Sequence, residues 1–214
     1  MNKNISNIQI DILDNQRREL LTSLIPFTRD FVLGGGTALA LQLAHRKSFD
    51  FDFFSLEPIS KKLLEKLSQN LSIGNIVIDN ADELTFFTKE DIKISFLYYP
   101  FGPYFEVLKT KDKLRIFSVQ EIALQKTYAI GRRGEYRDYF DLYTILKNEY
   151  INLNKLISLS KKVYPGLFDE KLFLEQLVYF GDITNFDVIP ASGEALPKPE
   201  TVKEYFERLV EKLI

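Results

Sequence analysis

The stretch Gly34-Gly35-Gly36-Thr37-Ala38-Leu39-Ala40-Leu41, followed closely by His45-Arg46-Lys47-Ser48-Phe49-Asp50-Phe51-Asp52-Phe53-Phe54, decides how this chain folds. Phe31-Val32-Leu33 ahead of it is a short apolar run that ends in three glycines, which reads as a strand entering a tight turn. Thr37 is a suitable N-cap for a helix running on through Ala44. Asp50 to Phe54 then alternates acidic and aromatic residues, as a half-buried strand does. Residues two apart on a strand share a face, so the carboxylates of Asp50 and Asp52 project together. Two carboxylates held side by side repel each other unless a cation neutralises them.

Each piece also has a plain structural reading. A glycine run is usually just a turn, an Asp-x-Asp strand can be a solvated face, and His45 suits a helix end, interacting with the last carbonyls. Their spacing is more informative than any one of them. A glycine turn opening a helix presents backbone N–H groups and the positive end of the helix dipole, which favour a phosphate. A phosphate-binding turn beside a carboxylate pair suited to a divalent ion is what nucleotidyl transfer requires.

Working outward, residues 11–26 carry apolar positions at helical spacing, and residues 60–70 do so again. Between and after them, Asn75 to Ile78, Leu84 to Thr88 and Ile92 to Tyr99 read as strands, with Lys89-Glu90-Asp91 as the turn of a hairpin. From about Ser118 the pattern is helical: Val119 to Ile130, Tyr136 to Lys147, Asn154 to Lys162, Asp169 to Phe180 and Thr201 to Leu213. Asp187 to Pro199, with three prolines and a glycine, reads as a linker. The aromatic run Phe96 to Phe101, with Tyr104-Phe105, reads as a core strand entering a loop, with an interface as the alternative.

Composition narrows the chemistry. With 214 residues and 45% hydrophobic content the chain can bury a substantial core. Lys plus Arg number 28 against 30 for Asp plus Glu, so duplex nucleic acid cannot be held by a general basic excess, only by a local patch. The absence of cysteine excludes disulfides, thiolate metal sites and cysteine nucleophiles, and the single His45 excludes a histidine-rich zinc site. A catalytic metal would therefore sit on carboxylates, which favours magnesium or manganese. The N-terminal MNKNISNIQIDILDNQ has no apolar signal core and no stretch approaches a membrane span, so the expected location is cytoplasmic.

The stretch from Gly35 to Leu41 with His45 to Phe54 resembles the first motif of the AbiEii/AbiGii toxin family. A second block is similar to another motif of that family: Val119 to Lys126, Ala129, Arg132-Arg133, and Arg137-Asp138-Tyr139-Phe140-Asp141-Leu142-Tyr143. The resemblance implies an α+β fold, with a DNA polymerase β-like nucleotidyltransferase core over residues 1–110. A C-terminal helical bundle over residues 111–214 would complete the active site. It also implies the toxin half of a toxin–antitoxin or abortive-infection pair. Asp50 and Asp52 would bind Mg2+ or Mn2+, Gly35, Gly36 and Thr37 would cradle the NTP phosphates, and Arg46, Ser48 and Arg137 would assist them. Lys126 would neutralise triphosphate charge, and Asp141 would position acceptor or lysine. The acceptor implied is RNA, including a tRNA 3′ end, and the protein partner is a cognate antitoxin.

The second block has its own plain reading. Arg137 and Asp141 are spaced for an exposed i, i+4 ion pair, and Lys126 could be a solvated surface lysine. Arg132, Arg133 and Arg137 form a local basic cluster that could grip phosphates. One departure stands out. Polymerase β-like enzymes usually place a third carboxylate on the strand facing the acid pair, and here alternation puts Ser95 there, with Asp91 near the turn. Besides an active transferase, the sequence therefore admits a catalytically degenerate protein that binds nucleotide or a partner without turnover, and more weakly a phosphotransferase.

Overall fold

Alternation along Phe51–Ser55 builds the middle of a sheet, because Phe51 and Phe53 must leave water while Asp52 need not. In a computed structural model describing residues 8–193 and 195–213, the chain divides into two units, residues 1–118 and 119–214. The opening residues 1–7 of the N-terminal stretch lie outside the described residues.

The first unit carries one seven-stranded sheet in the order β3-β4-β5-β2-β1-β7-β6. Its strands are β1 (Val32–Gly34), β2 (Phe51–Ser55), β3 (Ile73–Asp79), β4 (Glu83–Thr88), β5 (Lys93–Tyr98), β6 (Val107–Lys109) and β7 (Arg115–Phe117). Its helices are α1 (Asn15–Leu24), α2 (Gly35–Leu43) and α3 (Leu63–Ser68). The register pairs Leu33 with Phe53, Phe53 with Phe96, Phe51 with Ile94, Phe96 with Leu84 and Ile94 with Phe86. All seven are buried, and they form one apolar face of the sheet with Phe53 and Phe96 stacked at 5.3 Å between ring centroids. The next row, on the opposite face, is polar: Gly34 pairs with Asp52, Asp52 with Ser95 and Ser95 with Thr85.

Sequence periodicity found β2 to β5 and α1, whose N-cap is Asp14, accepting from the Arg17 backbone N–H at 2.9 Å. It did not find β6 and β7, three residues each, which exist only as sheet partners. Strand β7 pairs with β1, and the first unit runs to Ser118. Phe96 and Tyr99 are buried, as a core strand requires, while Tyr104 is exposed.

The second unit is helical: α4 (Val119–Ala129), α5 (Tyr136–Lys147), α6 (Leu153–Val163), α7 (Glu170–Val178) and α8 (Pro199–Glu211). Asn152 and Asp169 cap α6 and α7 through their side chains, accepting from Lys155 and Leu172 backbone N–H groups. Ile122, Leu142, Leu156, Leu177 and Phe206 are fully buried and fill the space between the helices. Helix α8 starts two residues earlier than its apolar pattern predicts, because Pro199 suits the first helical position. No described helix is long and apolar enough to cross a membrane.

Candidate functional site

Helix α2 begins at Gly35, and its N-cap is Gly34, not Thr37. The reason is steric. Gly35 has φ +63°, and a Cβ there would lie 2.6 Å from Asp52 Oδ2. Only glycine both adopts that backbone and lets the Asp52 carboxylate approach the first turn so closely. A Cβ on Gly36 would collide with the Arg46 guanidinium and lie 3.0 Å from Ser48 Oγ. Two consecutive glycines thus let a carboxylate and a guanidinium press against the start of α2. There the backbone N–H groups lack intrahelical acceptors.

Thr37 has a different task from the expected cap. Its hydroxyl lies 2.9 Å from Ser48 Oγ and donates to the Asp50 backbone carbonyl, tying α2 to the segment that enters β2. Ala44, in a left-handed conformation with φ 48°, turns the chain back after α2 so that Arg46 and Ser48 can return to the helix start. Arg46 is only 4% exposed, and its Nη1 donates to the Lys47 carbonyl at 2.9 Å. It is a buried strut as well as a cation at the first turn of α2. Asp52 lies on β2 and Asp50 just before the strand begins, one residue earlier than the alternation suggests, and both are half-buried.

Arg17 on α1 went unnoticed in the sequence. Its Nε donates to the Phe49 carbonyl at 3.0 Å, its guanidinium lies 4.8 Å from the Phe49 ring centroid, and its Nη1 pairs with Asp14 at 2.5 Å. These contacts anchor the residue immediately before Asp50. That hydrogen bond to the Arg17 backbone, with the paired guanidinium, holds the Asp14 carboxyl below the usual carboxylate range. Contacts 32 residues apart leave no periodic trace.

Opposite Asp52 stands Ser95, buried and 3.0 Å from Thr85 Oγ1, which is itself 2.6 Å from Glu83 Oε1. The Thr85 hydroxyl, with one proton, stands as donor between the Glu83 carboxyl oxygen and Ser95 Oγ. The third carboxylate expected beside the acid pair is thus replaced by two hydroxyls ending on Glu83, one strand further away. Among the described residues, no three His, Asp or Glu side chains cluster as a metal cage. Asp52 beside the helix start, with Asp50 two residues before it, still offers a hard divalent cation oxygen donors of the right charge.

The second unit holds a different kind of charge cluster. Lys126, 4% exposed, places Nζ 2.7 Å from Asp138 Oδ1 and 2.5 Å from Asp141 Oδ2, with both carboxylates buried. Arg133 clamps Asp138 with two bonds of 2.6 and 2.9 Å. Burial opposes ionisation of Asp138, but Lys126 and Arg133 outweigh it and hold the pKa below the usual carboxylate range. Lys126 is therefore neither a solvated surface lysine nor a loose point charge. Asp141 touches Lys126, the second of the two placements foreseen for it. Arg137 meets Glu135 at 3.2 Å, and Asp141 is fully buried, so the exposed Arg137–Asp141 pair does not describe this face. Arg132 donates to the Tyr128 and Leu167 carbonyls at 2.6 and 2.7 Å, so the three arginines serve the fold first.

Residues 19–200 match the family of the nucleotidyl transferase AbiEii toxin of type IV toxin–antitoxin systems. An uncharacterised protein of Aquifex aeolicus is 31% identical, covering 94% of this chain and 98% of its own length. A solved Helicobacter pylori structure described as a candidate nucleotidyltransferase superposes with a TM-score of 0.51 at 22% identity, covering 92% of this chain and 99% of its own. JHP933 from Helicobacter pylori gives a TM-score of 0.50 at 21% identity, covering 94% and 97%. These two share the fold.

Proposed function

This chain belongs to the AbiEii nucleotidyl transferase toxin family, and from that premise we propose that it transfers a nucleotidyl group from an NTP to an RNA hydroxyl, with a divalent cation at Asp50 and Asp52. The observation that supports this most directly is the close approach of the Asp52 carboxylate to Gly35 at the first turn of α2. It brings negative oxygens and phosphate-binding N–H groups within one site. Mg2+ or Mn2+ held by the two acids would activate the acceptor hydroxyl and neutralise the leaving pyrophosphate.

The chain's own residues do the rest. Backbone N–H groups at Gly36 and Thr37 receive phosphate oxygens, and the helix dipole favours their charge. Arg46 adds a fixed positive charge beside Gly36. Thr37, Ser48 and Arg17 hold the entry to β2 so that both acids keep their aim. In the second unit Asp141 and Asp138 fix Lys126 and thereby the relation of α4 to α5. The acceptor is proposed as RNA, with tRNA 3′ ends included, the partner as an antitoxin, and the compartment as cytoplasm.

The test uses the whole chain, Mg2+, each α-labelled NTP and total tRNA. The wild type should incorporate label, while Asp52→Ala should lose at least about a hundredfold of rate with an unchanged melting temperature. Equal incorporation by Asp52→Ala would refute the site. A second reading, nucleotide binding without turnover, is favoured by Ser95 at the third carboxylate's position. Calorimetric NTP binding in Mg2+ with no labelled product from any NTP would select it.

A further inference from the structure

A cavity of about 340 Å³ opens in the first unit, where β1 begins and β2 ends. Its walls include Phe31, Phe54, Tyr99 and Phe117, with Arg115 and Glu57 among its polar residues. Phe54 lies two residues beyond Asp52 on β2, so alternation turns its ring to the face that carries the acids. The separation along the strand is about 6.7 Å. Phe54 is held by Tyr99 and Phe117, each with its ring centroid 5.6 Å away. The wall also touches the acid site directly. A Cβ on Gly34 would lie 2.6 Å from Phe54 Cε2 and 2.9 Å from Phe117 Cδ2, and Gly34 is the residue that caps α2. One glycine therefore lets the rings lie against the backbone, and the next lets Asp52 do so.

This cavity suits a flat, uncharged ring. Fixed aromatic walls stack on heteroaromatic faces whatever the sequence, and an Arg with a Glu offers a donor and an acceptor to ring edges. Acidic Glu57 and Asp30 repel phosphate, which the start of α2 attracts instead. We propose that the cavity binds a nucleobase whose phosphate or sugar hydroxyl lies at Asp52. The proposal rests on the nucleotidyltransferase reading of that site. The base could come from the incoming NTP or from the acceptor end, and the experiment separates the two sources.

Two variants probe it. Phe54→Leu removes a stacking face, and Leu56→Trp fills the cavity from a lining position that is 54% exposed, so the fold has room for it. Calorimetry with adenosine, guanosine, cytidine and uridine, in the absence of metal, should show binding by the wild type. Both variants should weaken it at least about tenfold, as loss of one stacking partner does. Ribose 5-phosphate should bind all three proteins alike. In the transfer assay, a tenfold rise in KM for NTP in Leu56→Trp assigns the base to the incoming nucleotide, and a rise in KM for tRNA assigns it to the acceptor. Absence of nucleoside binding, or unchanged affinities and KM values in a folded Leu56→Trp, overturns the proposal even where Asp52→Ala abolishes transfer. Conversely, nucleoside binding lost in Leu56→Trp, with no transfer by the wild type, keeps the cavity and removes the transferase reading.

Discussion

The two charge clusters of this protein are built on opposite principles. At Asp50 and Asp52, like charges stand half-buried at the start of β2, near the backbone N–H groups that open α2 and the buried Arg46. At Lys126, Asp138, Asp141 and Arg133, two positive and two negative groups balance, and three of the four are buried. The first keeps its acids half-buried, with their surroundings set by backbone. A site meant to hold helices together closes its charges on one another. Both contain Asp and a basic residue, so composition alone does not distinguish them.

The largest effect should come from breaking the balanced cluster. Lys126→Met leaves two buried carboxylates without their cation and should cost about 3–5 kcal/mol, read by chemical denaturation. Acid should do part of the same work. Because the folded pKa of Asp138 is depressed, its contribution is fully present above the ordinary carboxylate value of about 3.9. It is lost as pH falls through the lower folded value. Denaturation midpoints measured from pH 6 down to pH 2 should show this decline, and an Asp138→Asn variant should lack its share of it.

Gly35→Ala should cost about 1–2 kcal/mol from the left-handed backbone alone. It should also reduce transfer strongly, because the new Cβ displaces Asp52. Asp52→Asn sharpens the contrast, because it removes one of the two charges proposed to hold a divalent cation. Added Mg2+ should then raise the melting temperature of the wild type and not of the variant. Glu83→Gln is expected to leave stability within about 0.5 kcal/mol, as a half-exposed residue should. It should lower the transfer rate by weakening the acceptor at the end of the Ser95–Thr85 hydroxyl row. An unchanged rate would confine that row to sheet packing.

Elements with a strong period were legible. Helix α5 starts and stops where its apolar spacing says, and the facing of Ser95 toward Asp52 follows from alternation on two strands. The N-cap of α2 lies three residues before the expected one because glycine is a poor helix former, and only contact with Asp52 and Arg46 explains glycine there. Strands β6 and β7 escaped because three residues cannot display a period. Arg17 and Glu83 escaped for a related reason: each acts through partners chosen by tertiary register. The burial of Lys126 was also invisible, since its neighbours in sequence are those of any amphipathic helix.

Strand β2 has a consequence for errors in folding. Its acids alternate with Phe51 and Phe53, so slipping β2 by one residue against β1 and β5 would turn the acids inward and expose both rings. Exposing those two side chains would cost about 3–6 kcal/mol before any buried charge is counted. Molecules with a slipped β2 are thereby rare at equilibrium, and the aim of Asp52 is enforced by two phenylalanines on the other face of the sheet.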